Sequence, residues 1–144
     1  MNERQCLSRC ARMWLWLAKN PDMTKEDYFL AHPKLKPIKC DCYCCEYATN
    51  GGAEAFRDVC WKCPLITLWT SKPKPKTNTL KRRWNDYKVG TCERGGSPYN
   101  IWRSIRHCSG DVDESRDKLS SECAMQIVEF CRKKLRLMDK KRGK

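Results

Sequence analysis

Apolar residues recur at spacings of three and four along residues 4–19, where Leu7, Cys10, Trp14 and Leu17 form one stripe with Met13 and Ala18 beside it. That period places them on one face of an α-helix. Arg4, Arg9, Arg12 and Lys19 fall mainly elsewhere, and "KNPD" ends the helix because Pro21 disfavours a helical Asn20. "TKED" then reads as a capping box, with Thr24 as N-cap and Asp27 at the third position, opening a short helix over about 25–31 that partly buries Tyr28, Phe29 and Leu30. Ser97 followed by Pro98 predicts a third start, and Ile101, Trp102, Ile105 and Cys108 are its inward stripe. The longest periodic stretch runs from about 114 to 138, with Leu119, Cys123, Ile127, Cys131, Leu135 and Met138 along one face and Ala124 and Val128 widening it. Strand signals are few and short. The expected fold is mainly α, with about four helices around a small metal-organised loop region.

The pattern breaks between residues 40 and 69. "CDCYCCEYATNGGAEAFRDVCWKCPL" holds six of the chain's 12 cysteines, and small hairpin-like turns are expected in it. Cys42 with Cys45 and Cys60 with Cys63 form two CxxC pairs separated by 14 residues. Two such knuckles can point four sulfurs at one ion, which is the chemistry of a closed structural zinc site. Metal binding would then supply folding energy that this loop's few apolar residues cannot. Cys42, Cys45, Cys60 and Cys63 are therefore the expected zinc ligands, with a second metal the less favoured alternative. Cys40 and Cys44 are surplus in that assignment, and Cys40, Cys44 or Cys92 is an alternative ligand. Disulfides and a redox "CWKC" are the competing readings. The second lacks a supporting βαβ pattern. Cys10, Cys108, Cys123 and Cys131 lie on apolar stripes and read first as small core residues.

These segments divide one compact domain into an N-terminal helical part (1–39), the knuckle region (40–69), a basic Lys/Pro-rich connection (70–96) and the C-terminal helices (97–144). The formal net charge is +13, of which residues 70–110 carry +8. "SKPKPKTNTLKRRWNDYK" supplies most of that excess. Lys72, Lys74, Lys76, Lys81, Arg82 and Arg83 can neutralise phosphates, Trp84 can stack on bases, and Arg103 and Arg106 add charge on the next helix. A solvated linker is the plainer reading of the same residues. No recognised nucleic-acid module motif is present. Trp16 lies off the main stripe of the first helix, which marks it for a partner contact.

Other classes fit poorly. A four-thiolate zinc has no open position for a catalytic water. There is no H-x-E partner for "CWKCP", no phosphate-cradling loop and no nucleophile elbow, so no catalytic residue is expected. The start is interrupted by arginines, and no run approaches the roughly 18–20 apolar residues that span a bilayer. A cytoplasmic location with reduced thiols is expected.

Several segments taken together, "WLWLAKNPDMTKEDYF", "CYCCEYA", "CWKCPL" and "SPYNIWRSI", with the "AMQIVEF" helix, resemble a group of small cysteine-rich proteins encoded by bacteriophages and prophages. The shared order is W-x-W-L, N-P, CxxCEYA, CxxCPL and SPYxxW. That resemblance implies a structural zinc at Cys42, Cys45, Cys60 and Cys63 and the cytoplasm of an infected or lysogenic bacterium. It implies no settled activity, and the extra cysteines and the Lys-Pro stretch depart from the group. The reading that follows is a non-catalytic, zinc-stabilised protein that binds nucleic acid or a nucleoprotein through its basic surface. The alternative is a protein inhibitor of a host defence complex, such as a CRISPR effector, acting by protein–protein contact.

Overall fold

A computed structural model describes residues 1–38, 42–49, 62–65, 68–69, 92, 97–107 and 114–143, with the backbone alone at 106 and 107. Among these residues the protein is helical, with no strand. The helices are α1 (Glu3–Lys19), α2 (Lys25–Ala31), α3 (Tyr43–Ala48), α4 (Pro98–His107) and α5 (Glu114–Arg142).

Their ends lie where local chemistry puts them. Asn2 caps α1 in a reciprocal box with Gln5, each side chain bonding the other's backbone N–H. Thr24 and Asp27 do the same for α2, as the sequence predicts. The Ser97 hydroxyl accepts the Asn100 N–H at 3.1 Å and donates to the Cys92 carbonyl, so the cap of α4 also holds Cys92.

α1 and α5 form the largest helix pair and run antiparallel. The start of α1 meets the end of α5 in the Arg4–Asp139 ion pair, and the Ser121 hydroxyl donates to the Ala18 carbonyl at 2.7 Å near the other end. The faces they share carry Cys6, Leu7, Cys10, Met13, Trp14 and Leu17 from α1, and Cys123, Ala124, Ile127, Val128 and Cys131 from α5, all buried. Fully burying a side chain such as Leu7 or Ile127 contributes about 1.5–3 kcal/mol. α4 closes one side, where Trp102 meets Trp14 edge-to-face at 4.9 Å, and Tyr99 meets the same indole at 6.1 Å. α2 and α3 cover the rest of α1 through an aromatic chain from Trp16 to Tyr28, Phe29 and Tyr43.

Two inward expectations shift. Leu119 is 42 % exposed and Ser120 takes the buried position, while Leu30 is 79 % exposed. A four-residue spacing advances about 40° per step on a helix of 3.6 residues per turn. Carried back from Ile127 through Cys123, it has turned Leu119 out of the core. Leu30 lies on the outer face of a seven-residue helix whose inner face is filled by Tyr28.

Candidate metal centre

Three elements deliver cysteines to one place. Cys10 comes from the inner face of α1, Cys131 from the inner face of α5, and Cys42 and Cys44 from the start of α3. The sulfurs of Cys10, Cys42 and Cys44 all lie within 4.8 Å of one another, and all three residues are buried. Cys131 lies outside that triangle and couples electrostatically to the thiols of Cys10 and Cys44. The order in α3 explains how two neighbours in sequence reach the same point. Cys42 is the extended N-cap residue, and its side chain makes no cap hydrogen bond. Cys44 lies within the helix and is fully buried.

The thiols polarise one another. Hydrogen bonding from Cys10, then from Cys44, lowers Cys131 from 9.0 to about 5. Cys42 is held well below the ordinary thiol range by Cys10 first, then by Cys44 and Cys45. The partners move the other way. Cys10 is raised chiefly by Cys131, and Cys44 chiefly by Cys10.

Such a set suits a soft or borderline cation. Among the described residues the grouped ligands are all cysteines, which favours zinc, copper(I) or iron–sulfur chemistry over magnesium or calcium. Four sulfurs at about 2.3 Å around a tetrahedral ion lie about 3.8 Å apart. A thiol triangle with no side above 4.8 Å reaches that geometry with movements of about 1 Å. The buried cluster could thus hold a metal ion, which would tie α1 to α3.

No protein-family model, curated protein or solved structure matches the chain.

Of the expected ligands, Cys42 lies in the cluster and Cys45 beside it, hydrogen bonding with Cys42 and with Cys92. Cys63 is half-buried against the same core and is not part of the Cys10–Cys42–Cys44 triangle. Cys60 lies outside the described residues, as do Lys72, Lys74, Lys76, Lys81, Arg82, Arg83, Trp84 and the side chain of Arg106. Arg103 is exposed on α4. None of the nine described cysteines is in a disulfide.

Sequence reasoning reads Cys10 and Cys131 first as core residues, because each occupies an ordinary position on an apolar stripe, and offers Cys10 as a ligand only as the lesser reading, paired with Cys6. The available signal was their number. Cys6 and Cys10 on α1, with Cys123 and Cys131 on α5, aim four thiols at a core that also receives α3. Two of the four do other work. The Cys6 thiol donates to the Tyr43 carbonyl at 3.4 Å and lies 3.8 Å from the Cys44 sulfur, so it pins α3 to α1. The Cys123 thiol is raised by burial and by Glu122.

Proposed function

We propose that this chain is a non-catalytic helical protein, stabilised by a structural zinc, that binds nucleic acid or a nucleic-acid-bearing complex through a basic surface. The buried thiol cluster supports the zinc, with Cys10, Cys42, Cys44 and Cys131 as its four thiolates. A tetrathiolate ion sealed in a core has no position for substrate, so its role is to fix the helices. Reduced thiols accord with the cytoplasm of a bacterial host, the setting that the resemblance to phage proteins implies.

The observation that carries the polyanion reading is the cationic end of α5. Arg132, Lys133, Lys134, Arg136, Lys140, Lys141 and Arg142 fall within eleven residues, against one acid, Asp139, which is already paired with Arg4. Six of these cations are exposed. Lys134, Lys141 and Arg142 line, with Arg4 and Glu3, a hollow of about 500 Å³ between the two helix ends. With the sequence-predicted segment from Lys72 to Arg83, they account for most of the +13 charge. The test is binding of the zinc-loaded chain to labelled single- and double-stranded DNA and RNA across salt. Each phosphate neutralised on duplex DNA contributes about −0.9 to the slope of log K against log salt. Lys140, Lys141 and Arg142 replaced together by Glu should flatten that slope by about 2–3. The Lys81, Arg82 and Arg83 triple replacement tests the other segment in the same assay. A salt-independent interaction, or none at low salt, rejects the reading.

A second reading, the inhibitor of a host defence complex, is favoured by one feature. Trp16, Tyr28 and His32 line a groove of about 700 Å³ with Leu15 and Leu35, and Arg12, Lys19 and Lys34 stand on its rim. Trp16 meets Tyr28 at 5.6 Å and His32 at 6.1 Å, which leaves a half-buried indole available to a protein partner. If protein contact is the function, Trp16→Ala abolishes partner capture while nucleic-acid binding is absent from the start.

A further inference from the structure

Beside the stripe that pairs with α5, α1 has a second working side. Arg12, Leu15, Trp16 and Lys19 share it, because spacings of three and four bring residues onto one helix face. The end of α2 and the turn after it stand opposite, and the two rows enclose the groove of about 700 Å³. Its aromatic wall is set in advance. Trp16 meets both Tyr28 and His32 edge-to-face, and a 2.7 Å hydrogen bond between His32 Nδ1 and the Tyr28 carbonyl holds the imidazole. A carbonyl only accepts, so Nδ1 carries the proton. A wall fixed before binding spares a partner the cost of ordering it. Leu15, half-buried, and Leu35, 38 % exposed, add aliphatic surface. Arg12, Lys19 and Lys34 are exposed along the groove, and among the described residues no acid lines it.

This combination disfavours two occupants. A second copy of the chain would bring a formal charge of +13 to a cationic rim. A nucleic-acid strand needs ring faces laid in series for its bases. Here the rings pack edge-to-face on one another, and the leucines offer a strand nothing to stack on. We propose that the groove binds an acidic, amphipathic peptide segment of a partner protein, its apolar side chains seated on Trp16 and Leu35 and its carboxylates meeting Arg12, Lys19 and Lys34. The inference rests on the protein-contact reading above and gives the chemistry of the partner. A large, half-buried aromatic is the kind of residue that carries binding energy at such a contact. The rim cations set orientation and rate of encounter. A helical segment would present its anchors three and four residues apart.

Selection of a random peptide library on the immobilised full chain tests this, followed by fluorescence anisotropy of the enriched peptides. The expected winners are acidic, with apolar residues three and four apart. They should bind Trp16→Ala about tenfold or more weakly, although that variant keeps every cation. Leu35→Ser, at an exposed position, should weaken the same peptides with helical circular dichroism retained, which guards against a packing defect at Trp16. Arg12, Lys19 and Lys34 replaced together by Ser should weaken binding about tenfold at low salt and flatten its salt dependence. The same change at Lys140, Lys141 and Arg142 should leave it within about twofold, which separates the groove from general attraction to a basic chain. Enriched peptides that are neutral or basic yet need Trp16 overturn the acidic partner and leave the protein-contact reading standing. Peptides indifferent to Trp16 and Leu35, or no enrichment, overturn the groove as a docking site. A single-stranded oligonucleotide whose binding needs Trp16 gives the groove to nucleic acid and overturns both.

Discussion

Replacing Cys10 by serine separates a metal ligand from a packing residue. The change is nearly isosteric and the site is fully buried, so packing alone predicts a modest cost. A buried hydroxyl without a full set of partners costs about 1–3 kcal/mol. For a chain of 144 residues that is a fall of roughly 3–12 °C in Tm. Loss of an ion is a different order of effect. Structural zinc contributes about 10–16 kcal/mol in small peptides, whereas whole domains are stable by only about 5–15 kcal/mol. If Cys10→Ser cripples the ion that joins α1 and α3, even a partial loss of about 5 kcal/mol lowers Tm by roughly 20 °C. The assay is thermal unfolding followed by far-ultraviolet circular dichroism, with and without a zinc chelator. The wild type should fall steeply on chelation, and Cys10→Ser should start low and respond little. Cys123→Ser is the control, a buried α5 cysteine whose thiol is raised by burial and Glu122 rather than by other thiols. It should keep its zinc and lose only a few degrees. A Cys10→Ser protein only slightly less stable, and as sensitive to chelator as the wild type, would refute the ligand assignment of Cys10.

Two further outcomes are expected. Ser97→Ala removes both the α4 cap and the anchor of the Cys92 carbonyl; it should cost about 0.5–2 kcal/mol in denaturant unfolding, and an unchanged midpoint would contradict the cap. Burial raises the phenols of Tyr28 and Tyr43 above 10.0. A raised phenol favours the folded state below its unfolded pKa, and that contribution is lost as pH climbs through the folded value. Absorbance titration at alkaline pH should therefore show at least two of the five tyrosines ionising late and together with unfolding; early, fully reversible titration of all five would contradict their burial.

The helical frame was legible because it is written locally. The stripe of α1, the Thr24–Asp27 box and the Ser97–Pro98 start each need only a few neighbouring residues. α3 was not legible as a helix. Its six residues "YCCEYA" are too few to be stable by propensity, and they hold their shape because Tyr43, Cys44 and Ala48 pack into the core. Its cysteines therefore read as a turn. The metal centre was half legible for the same reason. CxxC spacing signals thiols that are close along the chain, and it drew attention to Cys42. It carries no information about Cys10, which meets Cys42 only after α1 and α3 pack together. The extended N-cap geometry that frees the Cys42 side chain is likewise a product of the fold.

The central claim is that a buried cluster of thiols binds an ion and thereby fixes the helices. X-ray absorption at the zinc edge of the purified full chain tests it most directly. The account predicts bound zinc with an all-sulfur shell at about 2.3 Å and close to four scatterers. A shell containing nitrogen or oxygen at about 2.0–2.1 Å, or a folded chain with no zinc, would contradict it.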